Sequence, residues 1–225
     1  MSTLRVASYN TRDLLDDRAA AARVVRAVDP DVLCLQEVPR RLLATTRVAG
    51  LAAECGLYWP GRHRGSGGTT IFTSLRVQVT GAAHRRLPVA TPRRTRGYAV
   101  STVVRPGHRP LVVASVHLSL DPAERVRHVA QVLAALPTFA PVLLAGDLNE
   151  GPDGDAWRLV ESRLTRVSPG EPTFPARRPS RLIDAVFASP SVLVLPHRPV
   201  DLDEADVLAG SDHRPVWVDV EPEPL

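Results

Sequence analysis

The stretch PVLLAGDLN at residues 141–149 joins five apolar residues to a polar group, and this order decides the fold. The apolar run predicts a buried strand that ends near Gly146. In an extended chain Asp147 and Asn149 flank Leu148 and lie on one face, where a carboxylate and an amide can hold a metal-bound water and a phosphoryl oxygen. The alternative is an Asx turn before the Gly-Pro pair at 151–152, a common loop structure. A Gly-Asp-Leu-Asn string directly after an apolar run favours the first interpretation.

Three other apolar runs border polar residues in the same way. Asn10 follows LRVASY at 4–9, Gln36 and Glu37 follow VLCL at 32–35, and Asp212 and His213 precede PVWV at 215–218. The repetition predicts one sheet edge that gathers carboxylates, amides and a histidine into a metal-binding pocket. Oxygen ligands suit Mg²⁺ or Mn²⁺, whereas zinc prefers clustered Cys and His.

The residues at this edge differ in how strongly each one, taken alone, indicates a function. Glu37, at the end of a buried strand, is the best metal-ligand candidate; alone, it is equally well explained as an acid stabilising the dipole of a helix over 39–55. Asp184 lies inside the apolar run LIDAVF at 182–187. Because a buried carboxylate needs a partner, we expect a dyad with His213 that fixes the imidazole tautomer. The alternative is a core pair without a catalytic role. His117 ends a strand, where a lone histidine is more often structural.

The composition describes one well-filled domain. The 225 residues are 44% hydrophobic, and we expect a single domain over 1–225. No window is long and apolar enough for a transmembrane segment, and no signal peptide precedes the strand at Leu4, so we expect a cytoplasmic monomer. Cys34 and Cys55 fall in a strand and near a helix end, which makes a disulfide an unfavoured interpretation.

The net charge of +4 is weak evidence for a nucleic-acid partner. All 28 residues counted as Lys or Arg are arginine, a bias that codon composition explains as well as function does. The basic loop Gly61–Gly68 either grips phosphates or is a solvated mobile loop. Basic residues elsewhere either extend that patch or belong to a generic Arg-rich surface: Arg85, Arg86, Arg93, Arg94 and Arg96.

The element order predicts an α+β fold. Helices are expected at 16–28, 39–55, 122–136 and 153–162, and strands at 4–10, 31–36, 69–73, 76–84, 98–104, 111–117, 141–146, 181–188 and 215–220. Such an order implies two mixed sheets packed face to face and covered by helices. Pro172, Pro175 and Pro179 crowd the segment 168–180, which predicts a rigid wall of the active site.

Six motifs in this order resemble the endonuclease/exonuclease/phosphatase superfamily, the DNase I-like fold, along essentially the whole chain. They are Asn10, the LQEV string at 35–38, His117, the GDLN string at 146–149, Asp184 and the SDH string at 211–213. The stretches Arg96–Ala99 and Arg125–Gln131 also resemble that family. The resemblance implies a four-layered αββα sandwich and a divalent cation, Mg²⁺ or Mn²⁺.

The resemblance also implies roles. Glu37 would be the main metal ligand, supported by Asn10 and Asp212. Asp147 would orient or deprotonate the attacking water, and Asn149 would hold a phosphate oxygen. His213, oriented by Asp184, and His117 would contact the scissile phosphate.

Two positions depart from the family pattern. The nuclease branch often has an acid two residues after the first Asn, where this chain has Arg12. Secreted DNases place a Glu before an Arg to orient the first histidine, where this chain has Thr95 before Arg96. A second metal site and a DNase-style acid are therefore in doubt.

The sequence thus predicts a metal-dependent phosphoesterase that hydrolyses phosphodiester bonds with activated water, with nucleic acid as one candidate substrate. Aromatic residues make up only 4% and the connections are short, which is atypical of DNA-directed relatives. The alternative is a phosphatase or a lipid- or inositol-headgroup phosphodiesterase. A silent binding module with the same fold is disfavoured by the intact acid and histidine set.

Overall fold

A computed structural model describes residues 3–60, 65–90 and 95–225. The helices are α1 (Arg18–Val28), α2 (Ala44–Cys55), α3 (Pro122–Ala135), α4 (Asp155–Glu161) and α5 (Glu204–Gly210). The strands are β1 (Leu4–Asn10), β2 (Val32–Gln36), β3 (Thr70–Thr73), β4 (Gln78–Leu87), β5 (Arg96–Val104), β6 (Leu111–His117), β7 (Val142–Asp147), β8 (Thr165–Arg166), β9 (Asp184–Ala188), β10 (Leu193–Val194) and β11 (Val216–Glu221).

These strands form two mixed sheets. The first has the order β10-β11-β1-β2-β3 and the second the order β4-β5-β6-β7-β9-β8. Only the pairs β1–β2 and β6–β7 are parallel among the described strand pairs. The predicted α+β fold with two mixed sheets is confirmed.

Three apolar clusters separate four layers. Val6, Val113 and Leu143 belong to the cluster between the sheets, whereas Leu33 of β2 packs with α1 and α2 in a second cluster. Trp157 of α4 packs with α3 and the outer face of the second sheet in the third. Because the central strands are covered on both faces, they read as continuous apolar runs. The αββα sandwich implied by the resemblance is confirmed.

The parallel pairs bring polar strand ends together. Asn10 at the end of β1 lies opposite Gln36 at the end of β2, and His117 at the end of β6 lies opposite Asp147 at the end of β7. β9 runs antiparallel to β7, so its first residue, Asp184, is also opposite Asp147. One end of the sandwich therefore carries the residues predicted for the site.

Some element bounds differ from prediction. The second helix begins at Ala44 and not at 39, after Leu43 in the left-handed region at φ 56°. Glu37 lies seven residues before this start, so its interpretation as a helix-dipole acid is wrong. α5 was not predicted, because seven residues are too few to show a helical period. It begins after Asp203, whose carboxylate accepts a hydrogen bond from the Ala205 amide at 2.8 Å.

Two expectations about the whole chain can be compared with the described residues. None of the helices in these residues has the length and apolarity that a membrane span requires. Cys34 and Cys55 are both buried and free, as expected from their place in a strand and near a helix end.

Candidate active site

The site centres on one buried carboxylate oxygen, Oδ2 of Asp147. It lies 3.0 Å from Nδ2 of Asn10, 3.5 Å from Nε2 of His117 and 3.9 Å from Nε2 of His213. The preceding Gly146, at φ 153°, has no room for a Cβ because the Val116 carbonyl oxygen of β6 lies against it. This close approach of β7 to β6 delivers Asp147 to the sheet end. Burial, followed by the charge of Asp184, raises the pKa of Asp147 above its ordinary value.

Asp184 and His213 form the predicted dyad. Nδ1 of His213 lies 2.9 Å from Oδ2 of Asp184, and the Thr173 hydroxyl donates to the same oxygen at 2.6 Å. A carboxylate can only accept here, so Nδ1 carries a hydrogen and Nε2 faces Asp147. Burial lowers the pKa of His213, but the charge and hydrogen bond of Asp184 outweigh it and raise the pKa to about 9.

His117 and Glu37 meet on the other side of Asp147. Oε1 of Glu37 lies 3.6 Å from Nε2 of His117, and this nitrogen makes no hydrogen bond with any described residue. Burial, followed by the charge of Arg96, lowers the pKa of His117, so its ring is neutral at neutral pH. The Glu37 side chain is 38% exposed and so reaches both solvent and the buried group.

Asp212 is paired with an arginine. Its Oδ2 lies 3.4 Å from Nε of Arg12, and its Oδ1 lies 4.0 Å from Nε2 of His213. Arg12 begins three consecutive non-glycine residues with left-handed φ values, 47°, 57° and 52°. Such backbone persists only where its surroundings hold it. Here the Asp13 amide donates to the Glu37 carbonyl at 2.6 Å, which ties the end of β1 to the metal-ligand candidate.

Asn149 is not extended as predicted. Its φ is 53°, and its backbone N–H donates to Oδ1 of Asp147 at 2.8 Å, which is the Asx turn considered as the alternative. Its Nδ2 donates to the Leu118 carbonyl at 3.0 Å. Since an amide nitrogen has two hydrogens, one remains for a ligand.

Sequence reasoning did not predict the contacts of three side chains of the site, one of which, Ser211, belongs to the SDH string. Besides Thr173, the Phe174 ring lies 4.8 Å from the His213 imidazole, and the Ser211 hydroxyl donates to the Asn10 carbonyl at 2.7 Å. The prolines of 168–180 pointed to this segment as a wall, and it does lie against the dyad. The individual contacts had no local signal.

The donor atoms suit a hard divalent cation. Among the described residues, Asp147, Asp184 and His213 each offer one donor atom within 4.8 Å of the others. This set differs from the predicted ligands Asn10, Glu37 and Asp212. Because Asp184 and His213 are already hydrogen-bonded to each other, they are better suited to hold and transfer a proton than to bind a metal ion. The carboxylate of Glu37, on a side chain that is 38% exposed, is the type of oxygen ligand that Mg²⁺ or Mn²⁺ prefers, and it lies 3.6 Å from the unsatisfied Nε2 of His117.

The basic patch is only partly described. Residues 61–64 of the loop, and Arg93 and Arg94, lie outside the described residues. Gly97 at the start of β5 packs its backbone directly against the Ser66 carbonyl, and a Cβ would not fit there. The Thr95 hydroxyl donates to the Gly67 carbonyl at 3.4 Å. The described part of the loop is thus anchored to β5.

A cavity of about 360 Å³ lies at the opposite end of the sandwich. Its lining includes Pro110, Pro141 and Leu193, and two of its three charged residues, Arg109 and Glu223, pair with each other at 3.5 Å. None of the site residues predicted from the sequence lines it, so we place the chemistry at the Asp147 end.

The fold and this cluster define a class of phosphoester-cleaving proteins, and the comparisons agree. A model of the endonuclease/exonuclease/phosphatase family matches residues 7–213, and the chain belongs to that family. A comparison with curated proteins gave no match.

Solved structures share the fold at low sequence identity. An endonuclease/exonuclease/phosphatase from Beutenbergia cavernae is 24% identical with a TM-score of 0.80, over 99% of this chain and 72% of that one. The human Nocturnin catalytic domain with bound sulfate is 18% identical with a TM-score of 0.73, over 98% and 95%. A mannosyl-6-phosphatase of Bacteroides thetaiotaomicron is 20% identical with a TM-score of 0.74, over 97% and 99%.

Proposed function

We propose that this protein is a divalent-metal-dependent phosphoesterase that hydrolyses phosphodiester bonds by attack of activated water. The proposal rests mainly on one observation: side-chain nitrogens of Asn10, His117 and His213 all lie within 4 Å of Oδ2 of Asp147. A water molecule bound at this oxygen would have the Asp147 carboxylate as a base on one side and the imidazoles of His117 and His213 on the other.

Asp147 is the group that orients and deprotonates the water. Its raised pKa brings a carboxylate closer to the operating pH, where general-base catalysis is most effective. The Asn149 amide and the Asn10 side chain hold its two oxygens at 2.8 and 3.0 Å, which fixes the direction of proton transfer.

The two histidines act in different protonation states. His213 is charged at neutral pH because Asp184 stabilises the imidazolium, so its Nε2–H donates to a phosphate oxygen. His117 is neutral and presents Nε2 to the same space. With the single ring hydrogen of His117 on Nε2, both imidazoles are preorganised donors that stabilise charge as it develops on the phosphoryl oxygens.

Glu37 would hold the cation, with Asn10 and Asp212 as supporting ligands. The cation, when bound, supplies Lewis-acid neutralisation of the phosphate. The side-chain oxygen of Asn10 accepts the Arg12 amide at 3.0 Å and keeps a second lone pair.

A phosphomonoester substrate is the second candidate. The described loops around the site contribute Phe174 as the aromatic contact to His213, and the relative from Bacteroides thetaiotaomicron is called a mannosyl-6-phosphatase. A sugar phosphate would fit such a site as well as a nucleic-acid backbone.

The test is hydrolysis by the purified protein with Mg²⁺ or Mn²⁺ on a panel of substrates. The panel contains a chromogenic bis-ester, single-stranded and plasmid DNA, RNA, a sugar phosphate and phospholipid headgroups. We expect turnover of the bis-ester, and losses of about 10²–10⁴-fold in kcat for Glu37→Gln and His213→Ala. Glu54→Gln, at a half-buried acid that pairs with Arg18, is the matched control and should keep wild-type kcat. Full activity in both site variants would refute the proposal, and turnover of monoesters alone would select the second candidate.

A further inference from the structure

We propose that the buried ion pair between Arg125 and Glu150 is a positioning device for the reaction. It joins the segment that follows His117 to the loop that carries Asn149, and so holds the two halves of the phosphate-binding region in register. The inference rests on the proposed function, since it concerns the geometry of that same site.

The guanidinium of Arg125, in α3, donates hydrogen bonds to three partners. Its Nε donates to Oε2 of Glu150 at 2.7 Å. The side chains of Arg125 and Glu150 are almost equally buried, at 10% and 9% exposed. Nη1 of Arg125 donates to the carbonyls of Ser119 and Leu120 at 3.3 and 2.8 Å. One guanidinium thus fixes the backbone two and three residues after His117.

Glu150 fixes the other loop. Its second oxygen, Oε1, accepts the Trp157 amide at 3.0 Å in the first turns of α4. At Gly154, directly before α4, a Cβ would overlap the Glu150 carboxylate, so the chain leaves this space to the acid. Glu150 is therefore held from α3 by Arg125 and from α4 by a backbone N–H.

The two anchored segments meet at Leu118. Its N–H donates to the Asp147 carbonyl at 3.0 Å, and its carbonyl accepts Nδ2 of Asn149 at 3.0 Å and Nε of Arg96 at 2.7 Å. Asn149 has the left-handed backbone that needs such support. A shift of 118–120 would move both the Asn149 side chain and the backbone next to His117.

The geometry requires arginine. A lysine ammonium is a point charge and cannot reach a carboxylate and two carbonyls in one plane. Among the described contacts, neither residue of the pair has a hydrogen bond or ion pair with Asp147, so both act through other groups and are positioning residues.

The chain provides a matched control pair. Arg5 of β1 donates to both oxygens of Asp219 at 2.8 and 2.9 Å and to the Val28 carbonyl at 2.9 Å. Like Arg125, it combines an acid with a backbone carbonyl, and it is largely buried, at 17% exposed. It lies at the start of β1, away from Asn10 at the other end.

The experiment compares Arg125→Lys with Arg5→Lys in the full chain, at a temperature well below both Tm values. We expect Arg125→Lys to lower kcat about 10–100-fold with KM changed less than about threefold, because small misplacements of reacting groups are costly. Arg5→Lys should keep kcat within about twofold while losing a similar amount of stability. The double variant Arg125→Met/Glu150→Met removes the pair without leaving a buried charge and should show the same fall in kcat.

Hydrogen exchange of the Leu118 and Asn149 amides gives a readout that needs no substrate. We expect exchange at both to accelerate about tenfold or more in Arg125→Lys and to stay unchanged in Arg5→Lys. Unchanged exchange in Arg125→Lys overturns the proposal, as does an unchanged kcat or an equal loss in the control. If the wild-type protein hydrolyses nothing on the panel, the proposed function fails, and the exchange result alone then decides the positioning role.

Discussion

At the scale of single residues, environment assigns different roles to identical side chains. His117 and His213 both approach Asp147, but among the residues that the structure describes only His213 has a carboxylate on its other nitrogen. Burial, followed by the charge of Arg96, lowers the pKa of His117, whereas Asp184 raises that of His213 to about 9. The site therefore holds one neutral and one charged imidazole at neutral pH.

A double-mutant cycle tests whether Asp184 works through His213. We expect Asp184→Asn and His213→Ala each to lower kcat by about 100-fold, and the double variant to lose no more than the worse single variant. Their effects are non-additive because removal of the imidazole leaves Asp184 nothing to orient. Measurement of kcat for all four proteins checks this, with circular dichroism to confirm folding. Losses that multiply would show that Asp184 has a separate role.

Arg12 supplies a second test at this scale. It places a positive charge 3.4 Å from the proposed ligand Asp212, where nucleases of the family often have an acid. We expect Arg12→Asp to tighten Mn²⁺ binding by about tenfold, because two units of negative charge are gained beside the cation. Titration of Mn²⁺ by electron paramagnetic resonance measures the affinity.

The control is Arg23→Asp on α1, which makes the same change of charge in an exposed pair with Asp206. An equal effect of both variants on Mn²⁺ affinity would mean that only net charge matters and not the position of Arg12.

At the scale of elements, strand ends were predictable and contacts between distant loops were not. Asn10, Glu37 and Asp147 follow apolar runs, so their common edge could be inferred from the pattern alone. The Arg12–Asp212 pair joins residues 200 positions apart, and no local pattern signals it. Asn149 was misplaced because an Asx turn and a left-handed residue end the strand two residues earlier than extended geometry assumes.

α3 contains a histidine whose titration acts on stability. Nε2 of His128 donates to the Pro88 carbonyl at 2.6 Å, and its buried Nδ1 makes no hydrogen bond with a described residue. Burial lowers the pKa of His128; the Pro88 hydrogen bond and the charge of Glu124 oppose this, whereas Arg127 and Arg96 add to it. The folded chain therefore binds this proton less readily than the unfolded chain, whose histidine pKa is about 6.5.

The sign of the effect follows from this difference. The contribution of neutral His128 to the free energy of unfolding is complete above about pH 6.5. It is lost as the pH falls towards the lower pKa that His128 has in the folded state. We expect the free energy of unfolding of the wild type to fall more between pH 7.5 and pH 5.5 than that of His128→Gln. Urea unfolding of both proteins at the two pH values measures it. Parallel pH dependences would show that another group is responsible.

At the scale of the whole molecule, the site is shared between the two sheets. The first sheet contributes Asn10 and the loop that carries Glu37, and the loop before its β11 carries His213. The second contributes His117, Asp147 and Asp184. The donor atoms therefore converge only when the sheets pack on each other, and unfolding disperses them.

A cation bound across this junction must stabilise the fold by mass action. At a Mn²⁺ concentration about 100 times its Kd, the stabilisation is about 2.7 kcal/mol, which corresponds to a rise in Tm of roughly 5–10 °C for a chain of this size. We expect EDTA to reverse the rise and to abolish hydrolysis while the apoprotein stays folded, because three apolar clusters hold its layers. Glu37→Gln should lose most of the rise, and Glu54→Gln should retain it. An identical rise in wild type and Glu37→Gln would place the cation elsewhere, since a ligand stabilises only through groups that bind it in the folded state.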